Sequence, residues 1–318
     1  MTGPATLAVR VREITELAPT LKRFAFELAH GGEFPTAPAG GHVMLTLRDG
    51  AKVMKNAYSL VSAPGQRARY EIIVRKVAQS RGGSAFLHAK VAPGDVLDMA
   101  LPANLFSLAA TAKKHLLIGG GIGITPMLSL LAELKARGAR CEMHQLSSVD
   151  EAPVFERLLA PFKDDAAVHL HTGGRATFDL AGLLSRQPLG THVYVCGPHS
   201  LMDAVTATAA ALGWPKGKVH KESFGAASGG LPFKALLKRS GIEVEVKENE
   251  TLLEAIEAAG VAAPCLCRGG ACGECATAVE EGEVDHRDDF LSTEEKAAGK
   301  LIMPCVSRAR GPRLVLDL

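Results

Sequence analysis

Four cysteines set the tightest constraint on how this chain can fold. Cys267, Cys272 and Cys275 crowd the stretch CLCRGGACGEC (265–275), and Cys305 follows thirty residues later in IMPCVSR. Thiolates held that close repel one another, so the backbone must wrap something that binds sulfur, or the sulfurs must be oxidised in pairs. The chain has 7 cysteines, an odd number that fits a disulfide framework poorly. The spacing C-x4-C-x2-C with a distant fourth cysteine is that of a plant-type [2Fe–2S] loop. Gly269, Gly270 and Gly273 let such a loop turn tightly and leave room for backbone N–H groups near sulfur. A four-cysteine zinc site is the alternative, but it usually pairs two short clips, whereas here three ligands share one loop. Cys265 falls outside the spacing and reads as a packing residue.

The rest of the chain narrows the setting. Its 318 residues suffice for two or three domains, and a formal charge of +2 with no polybasic tail argues against nucleic acid or anionic membrane as partner. The start, MTGPATLAVRVREITEL, interrupts its apolar residues with charge and does not read as a signal peptide. LLIGGGIGITPMLSLLA (116–132) is uncharged, but its glycines and Pro126 fit a strand, loop and helix better than a membrane span. A cytoplasmic location is therefore expected, where seven cysteines mean metal or redox chemistry rather than structural disulfides.

Three segments follow from the periodicity. Residues 1–106 alternate in LAVRVREI and HVMLTL and carry turn formers between the runs, which predicts an antiparallel β-barrel. Residues 112–224 alternate short apolar strands (HLLIGG, CEMHQLSS, AVHLHT, THVYVC) with helical stretches, which predicts a doubly wound parallel α/β sheet. Residues 225–233, in the glycine-rich FGAASGGLPF, read as a linker. Residues 234–318 hold strands, one helix and the cysteine loop.

Two turns in the middle segment bear on ligands. GGGIGITP (119–126) follows a strand and opens a helix, so Gly121, Gly123 and Thr125 can bring backbone N–H groups against a pyrophosphate. It is not G-x-G-x-x-G, and alone it could be a tight connection. Cys196, Gly197 and Pro198 end another strand at the same carboxyl edge, where doubly wound sheets bind ligands. In the barrel segment, Asn56, Tyr58 and Ser59 of NAYSL could meet a planar ring, although Tyr58 alone reads as a cap on the barrel core. Arg81, Gly82, Gly83 and Ser84 of SRGGSAFLH, at a helix start, suit a phosphate monoester; the bland reading is an ordinary N-cap beside a solvated arginine.

Together these motifs resemble the phthalate dioxygenase reductase family over essentially the whole chain. GGSAF, GGGIGITPMLS, YVCGP, ESFGA and DHRD occur in that family's order, and NAYSL, NLF and PCLCRGGACGEC are most similar to reductase subunits of carnitine monooxygenase and related Rieske-type demethylases. The resemblance implies an N-terminal flavin-binding β-barrel, a nicotinamide domain and a C-terminal β-grasp plant-type ferredoxin domain. It implies that Tyr58 and Ser59 hold the flavin ring, and that Arg81, Gly82, Gly83 and Ser84 hold its phosphate. Gly121, Gly123 and Thr125 would face the nicotinamide cofactor, with Cys196, Gly197 and Pro198 near its reactive ring. Phe224 would shield the flavin, and Cys267, Cys272, Cys275 and Cys305 would ligate the cluster. Asn56 stands where the family's usual R-x-Y-S motif has arginine, so one positive charge near the flavin phosphate is lost.

FMN is expected in preference to FAD, because no aromatic motif for adenine is visible. NADH is expected in preference to NADPH, because Ser148 occupies the position where an arginine often appears; Arg175 is the opposing consideration. The implied activity is electron transfer from NADH through flavin and [2Fe–2S] to a Rieske-type oxygenase, needing no catalytic acid or base among the 11 histidines. The acidic stretch EEGEVDHRDD (280–289) could steer docking. Two rivals remain: a self-contained NADH oxidase, and a zinc-stabilised nucleotide-binding regulatory protein.

Overall fold

The computed structural model describes residues 5–50, 52–77, 82–174, 178–224 and 229–318. The chain forms two compact units that divide between Ser223 and Phe224.

The first unit begins with β1 (Thr6–Ala18), β2 (Leu21–Leu28), β3 (His42–Asp49), β4 (Lys52–Ser59), β5 (Tyr70–Arg75), α1 (Gly83–Lys90) and β6 (Val96–Ala100). The strands pair antiparallel in the order β4-β3-β6-β1-β2-β5. A bridge between Leu60 and Ile72 joins the end of β4 to β5 and curls the sheet into a barrel. Alternation fills the interior: Val43, Leu45 and Leu47 of β3 point inward against Val9, Val11, Phe24 and Phe26.

A parallel sheet follows, built from β7 (Lys114–Gly120), α2 (Ile124–Ala136), β8 (Cys141–Ser147), α3 (Ala152–Leu159), β9 (Val168–Thr172), α4 (Leu180–Ser185), β10 (Thr191–Cys196), α5 (His199–Ala211) and β11 (Val219–Glu222). Its order is β11-β10-β7-β8-β9, so the chain winds outward from β7 to β9 and returns to the other side of β7. The reversal leaves a crevice at the carboxyl ends of β7 and β10, the place where such sheets take ligands. Leu21 and Ile73 from the barrel share one core with Phe106, Leu117, Met127 and Tyr194. The Tyr194 hydroxyl accepts a hydrogen bond from the Ala109 N–H at 2.8 Å, pinning the connecting segment to the sheet.

The second unit holds β12 (Phe233–Leu237), β13 (Ile242–Val246), α6 (Leu252–Ala258), β14 (Thr277–Glu281), β15 (Val284–Asp285), α7 (Thr293–Ala298), β16 (Leu301–Ile302), β17 (Arg308–Ala309) and β18 (Arg313–Leu316). Five strands pair in the order β13-β12-β18-β14-β16, with β12 and β18 parallel. The sheet grips α6, whose Leu252, Ala255 and Ile256 pack on Phe233, Ala235, Val244 and Leu314. A capping box between Thr251 and Glu254 fixes where α6 starts. The expected architecture of barrel, parallel sheet and β-grasp is therefore present. Among the described residues, no helix is long and apolar enough to cross a membrane.

Arg308 is 2% exposed, and every described hydrogen bond of its guanidinium goes to a carbonyl rather than a carboxylate. It donates to Glu250 at 2.5 Å, Lys247 at 3.0 Å, Leu231 at 3.2 Å and Gly230 at 3.4 Å, and lies 5.1 Å over the Phe233 ring. It thus fastens residues 230–231, in the stretch expected to be linker, onto the second unit. Arg308→Met keeps the apolar stem but leaves these carbonyls unpaired, and should lower stability by about 2 kcal/mol or more. Urea unfolding of wild type and variant, followed by near-ultraviolet circular dichroism, checks this.

Candidate functional site

The crevice between β7 and β10 is lined by backbone in close approach. A Cβ on Gly123 would overlap the Cys196 carbonyl oxygen, and one on Gly197 would come within 3.0 Å of the Gly120 Cα. Glycine is required at 123 for that reason. The turn at Gly121–Gly123 and the turn at Cys196–Pro198 are therefore one surface, as the two sequence motifs suggested separately. Thr125 is buried and donates its hydroxyl to the Ile122 carbonyl at 3.0 Å, bracing the turn from inside. Gln145, wholly buried in β8, donates to the Gly121 carbonyl at 3.0 Å. Arg75, at the end of β5, pairs with Glu151 and places its guanidinium beside Gly121.

On the barrel side, Tyr58 packs half-buried against the barrel core, and Ser59 is buried at the end of β4. Ser59 lies close to Glu222, the last residue of β11, which also pairs in register with Cys196. Burial pushes the Glu222 carboxyl up to about 8, with the Ser59 hydroxyl pulling the other way. Burial, then Glu222, pushes the Cys196 thiol well above its usual range. Ser59 Oγ and Glu222 Oε2 are both buried without a well-formed hydrogen bond among the described residues. Such atoms await a polar partner, and the edge of a flavin ring, with its donors and acceptors, fits them. Asn56 reaches from β4 to the Cα of Gly83, beneath the first turn of α1, where Gly82 is the N-cap. Ser84 accepts a hydrogen bond from the Val77 N–H at 3.2 Å. Arg81 and Arg175 lie outside the described residues. Phe224 is 44% exposed and opens the second unit.

In the second unit the four expected cysteine ligands converge. Cys275 Sγ and Cys305 Sγ are 3.3 Å apart, and the Cys267 sulfur lies within reach of both Cys272 and Cys305. Those neighbouring thiols, with the N–H groups of Gly269 and Ala271 at 3.3 and 3.4 Å, hold the Cys267 thiol well below its usual range. Four cysteine sulfurs drawn together, with backbone donors on that of Cys267, are what an iron–sulfur cluster needs, so the residues fit that group. Cys265 packs beside Cys275 and Met303, and burial pushes its thiol up to about 11. Arg268 shapes the loop: its φ is 52°, and its buried guanidinium grips Glu257 of α6 in two bonds of 2.9 and 2.5 Å. The acidic stretch is less uniform than its sequence suggests. Asp288 is 3% exposed and accepts from the Leu291 N–H at 2.8 Å, while Glu280, Glu281, Glu283 and Asp289 are exposed.

Comparison with known proteins matches each part of this arrangement. Residues 8–107 match an oxidoreductase FAD-binding domain, residues 102–219 the N-terminal domain of dimethylamine monooxygenase subunit DmmA-like proteins, and residues 236–310 a 2Fe-2S iron-sulfur cluster binding domain. The solved phthalate dioxygenase reductase superposes over 99% of this chain and 98% of its own, with a TM-score of 0.86 and 36% identity. The chain belongs to the phthalate dioxygenase reductase family. Other members are similar end to end. The heme-dependent oxidative N-demethylase beta subunit of Ectopseudomonas mendocina (strain ymp) is 45% identical over 98% of this chain and 99% of its own. The carnitine monooxygenase reductase subunit of Escherichia coli (strain K12) is 43% identical over 98% of each. The family's flavin and [2Fe–2S] domains account for the barrel and the cysteine loop.

Glu222, Gln145 and Arg75 escaped the sequence reading. Glu222 lies in ESFGA, where nothing local marks the acid as one that the fold will bury. Gln145 had a weak signal, an amide beside a histidine within a strand of the parallel sheet, where both faces are covered. Arg75 had none beyond ending a strand.

Two outcomes follow. Cys305→Ser should strip the protein of cluster iron, whereas Cys265→Ser should retain it, as read by iron and labile sulfide analysis. Glu222 has a folded pKa above its unfolded value, so its contribution to stability is full below about 4.5 and is lost as pH rises through about 8. Glu222→Gln should flatten that part of the curve of melting temperature against pH.

Proposed function

We propose that this chain is the reductase component of a two-component oxygenase, carrying electrons from NADH through flavin to its plant-type [2Fe–2S] cluster and on to a Rieske-type oxygenase. The observation that carries this reading is the presence, on one chain, of the flavin barrel, the β7–β10 crevice and the four-cysteine loop. Relatives similar over their whole length are reductase subunits, and the solved phthalate dioxygenase reductase carries electrons from pyridine nucleotides to [2Fe–2S]. When bound, the flavin takes up the electron pair of a hydride and releases it one electron at a time, and the cluster relays single electrons.

The chain's own residues position and insulate these groups. Tyr58, Ser59 and Glu222 meet the flavin ring, and Glu222 offers a proton at its carboxyl oxygen because burial keeps it neutral near pH 7. Asn56, Gly82, Gly83 and Ser84 stand at the start of α1 and, with Arg81 assigned from the sequence alone, would cradle one phosphate, which favours FMN over FAD. Gly121, Gly123 and Thr125 receive the dinucleotide pyrophosphate with Arg75 beside them, and Cys196, Gly197 and Pro198 wall the nicotinamide. Ser147 and Ser148, where β8 ends, carry no charge, which favours NADH over NADPH. Cys267, Cys272, Cys275 and Cys305 hold the cluster. In this reading the flavin domain spans 1–106, the nicotinamide domain 112–224 and the cluster domain 234–318, joined by 225–233, of which residues 230–231 are held to the cluster domain by Arg308 and Phe233 opens β12. Four cysteines assigned to a cluster and three more left outside any disulfide suit a reducing cytoplasm.

The E. mendocina relative favours a second reading of the partner, a haem-dependent oxygenase acting on amines. Reconstitution with each oxygenase class, scored by NADH-dependent substrate turnover, separates the two. Anaerobic titration of the holoprotein with NADH should bleach the flavin and cluster absorbance, and acid release should yield FMN. A cluster that stays oxidised under excess NADH overturns the electron-transfer reading, and rapid NADH oxidation without any partner points to a self-contained oxidase.

A further inference from the structure

The two faces of β8 do different work. One face carries Gln145 to the glycine turn, and the other carries Glu142 and His144, two residues apart and therefore side by side. Edge strand β9 repeats the pattern with His169 and His171, and its register places His169 directly opposite His144. The result is a carboxylate and three imidazoles on one sheet face, apart from the β7–β10 crevice.

The cluster has the geometry of a ligand set. One donor atom each from Glu142, His144 and His169 lies within 4.8 Å of the others. His144 Nε2 is 3.0 Å from Glu142 Oε1, and the His144 and His169 rings stack with centroids 4.7 Å apart. His144 Nδ1 is 2.9 Å from His171 Nε2, so the ring nitrogen facing away from the carboxylate already has a hydrogen-bond partner that fixes the ring. Lys114 at 2.6 Å and Gln187 at 3.2 Å hold the other carboxylate oxygen of Glu142, leaving Oε1 turned to the imidazoles. Phe178 closes the site at 5.5 Å from the His144 ring and 4.8 Å from that of His171.

We propose that Glu142, His144 and His169 bind one divalent transition-metal ion, zinc by preference, which staples edge strand β9 to β8. Two imidazoles and one carboxylate are a borderline donor set, and zinc at about 2.0–2.1 Å from each needs these atoms to draw together and the His169 ring to turn out of its stack on His144, which the half-buried His169 allows. A water molecule is left as the fourth ligand. The ion is redox-inert, so its role is structural.

Flavin- and cluster-loaded full-length protein, dialysed with Zn2+ and then against metal-free buffer, tests the site by elemental analysis. The expected result is one zinc per chain beyond the cluster iron, lost in His169→Gln and in Glu142→Gln while flavin and iron contents hold. A second measurement needs no variant: Zn2+ should shield His144 and His169 of the wild type from carbethoxylation, mapped by peptide mass. No bound zinc, or zinc bound with both histidines still reactive, overturns the proposal. Zinc retained by both variants also overturns it and assigns the ion to the cysteine loop.

Discussion

The carbonyl of Cys196 and the Cα of Gly123 occupy adjoining space with no room for a side chain between them. That contact binds the ends of β7 and β10, and everything around the crevice is arranged about it. Gln145 braces the turn from beneath and Arg75 stands beside it. Cys196 in turn sets the register of β11, which delivers Glu222 to Ser59. A displacement of the glycine turn would therefore be felt at Ser59 and Glu222, because barrel and parallel sheet share a packed core rather than a hinge.

Both candidate sites hold groups that are costly without their ligands. Ser59 Oγ and Glu222 Oε2 are buried with their hydrogen-bonding capacity unspent. The four cysteines crowd sulfur against sulfur. In each place the fold is completed by a bound group, and binding and stability are then linked.

Legibility in the sequence followed distance along the chain. The cysteine loop could be read because three ligands, their spacing and the glycines fall within eleven residues. The glycine turn and the Cys196–Pro198 turn were each visible, since both end apolar strands. Barrel, parallel sheet and β-grasp followed from local periodicity. What could not be read were pairings between remote segments. Ser59 meets Glu222 only because barrel and sheet pack together, and the histidines of β8 and β9 meet only through strand register. Asp288 looked like one more surface acid in a charged run, yet the fold buries it under the cysteine loop. Arg308 gave no sign that a lone cation would bind carbonyls in place of a carboxylate.

Arg268 joins two costs in one residue. A left-handed backbone at a residue with a side chain is unfavourable by about 1–2 kcal/mol, and a buried guanidinium needs a partner. Glu257 meets the second need, and its grip holds the first in place. Positions 257 and 268 are therefore bound to drift together across descendants of this chain. A lineage that exchanges the acid at 257 for a neutral residue gains by placing glycine at 268, which relieves the backbone and removes the stranded charge in one step.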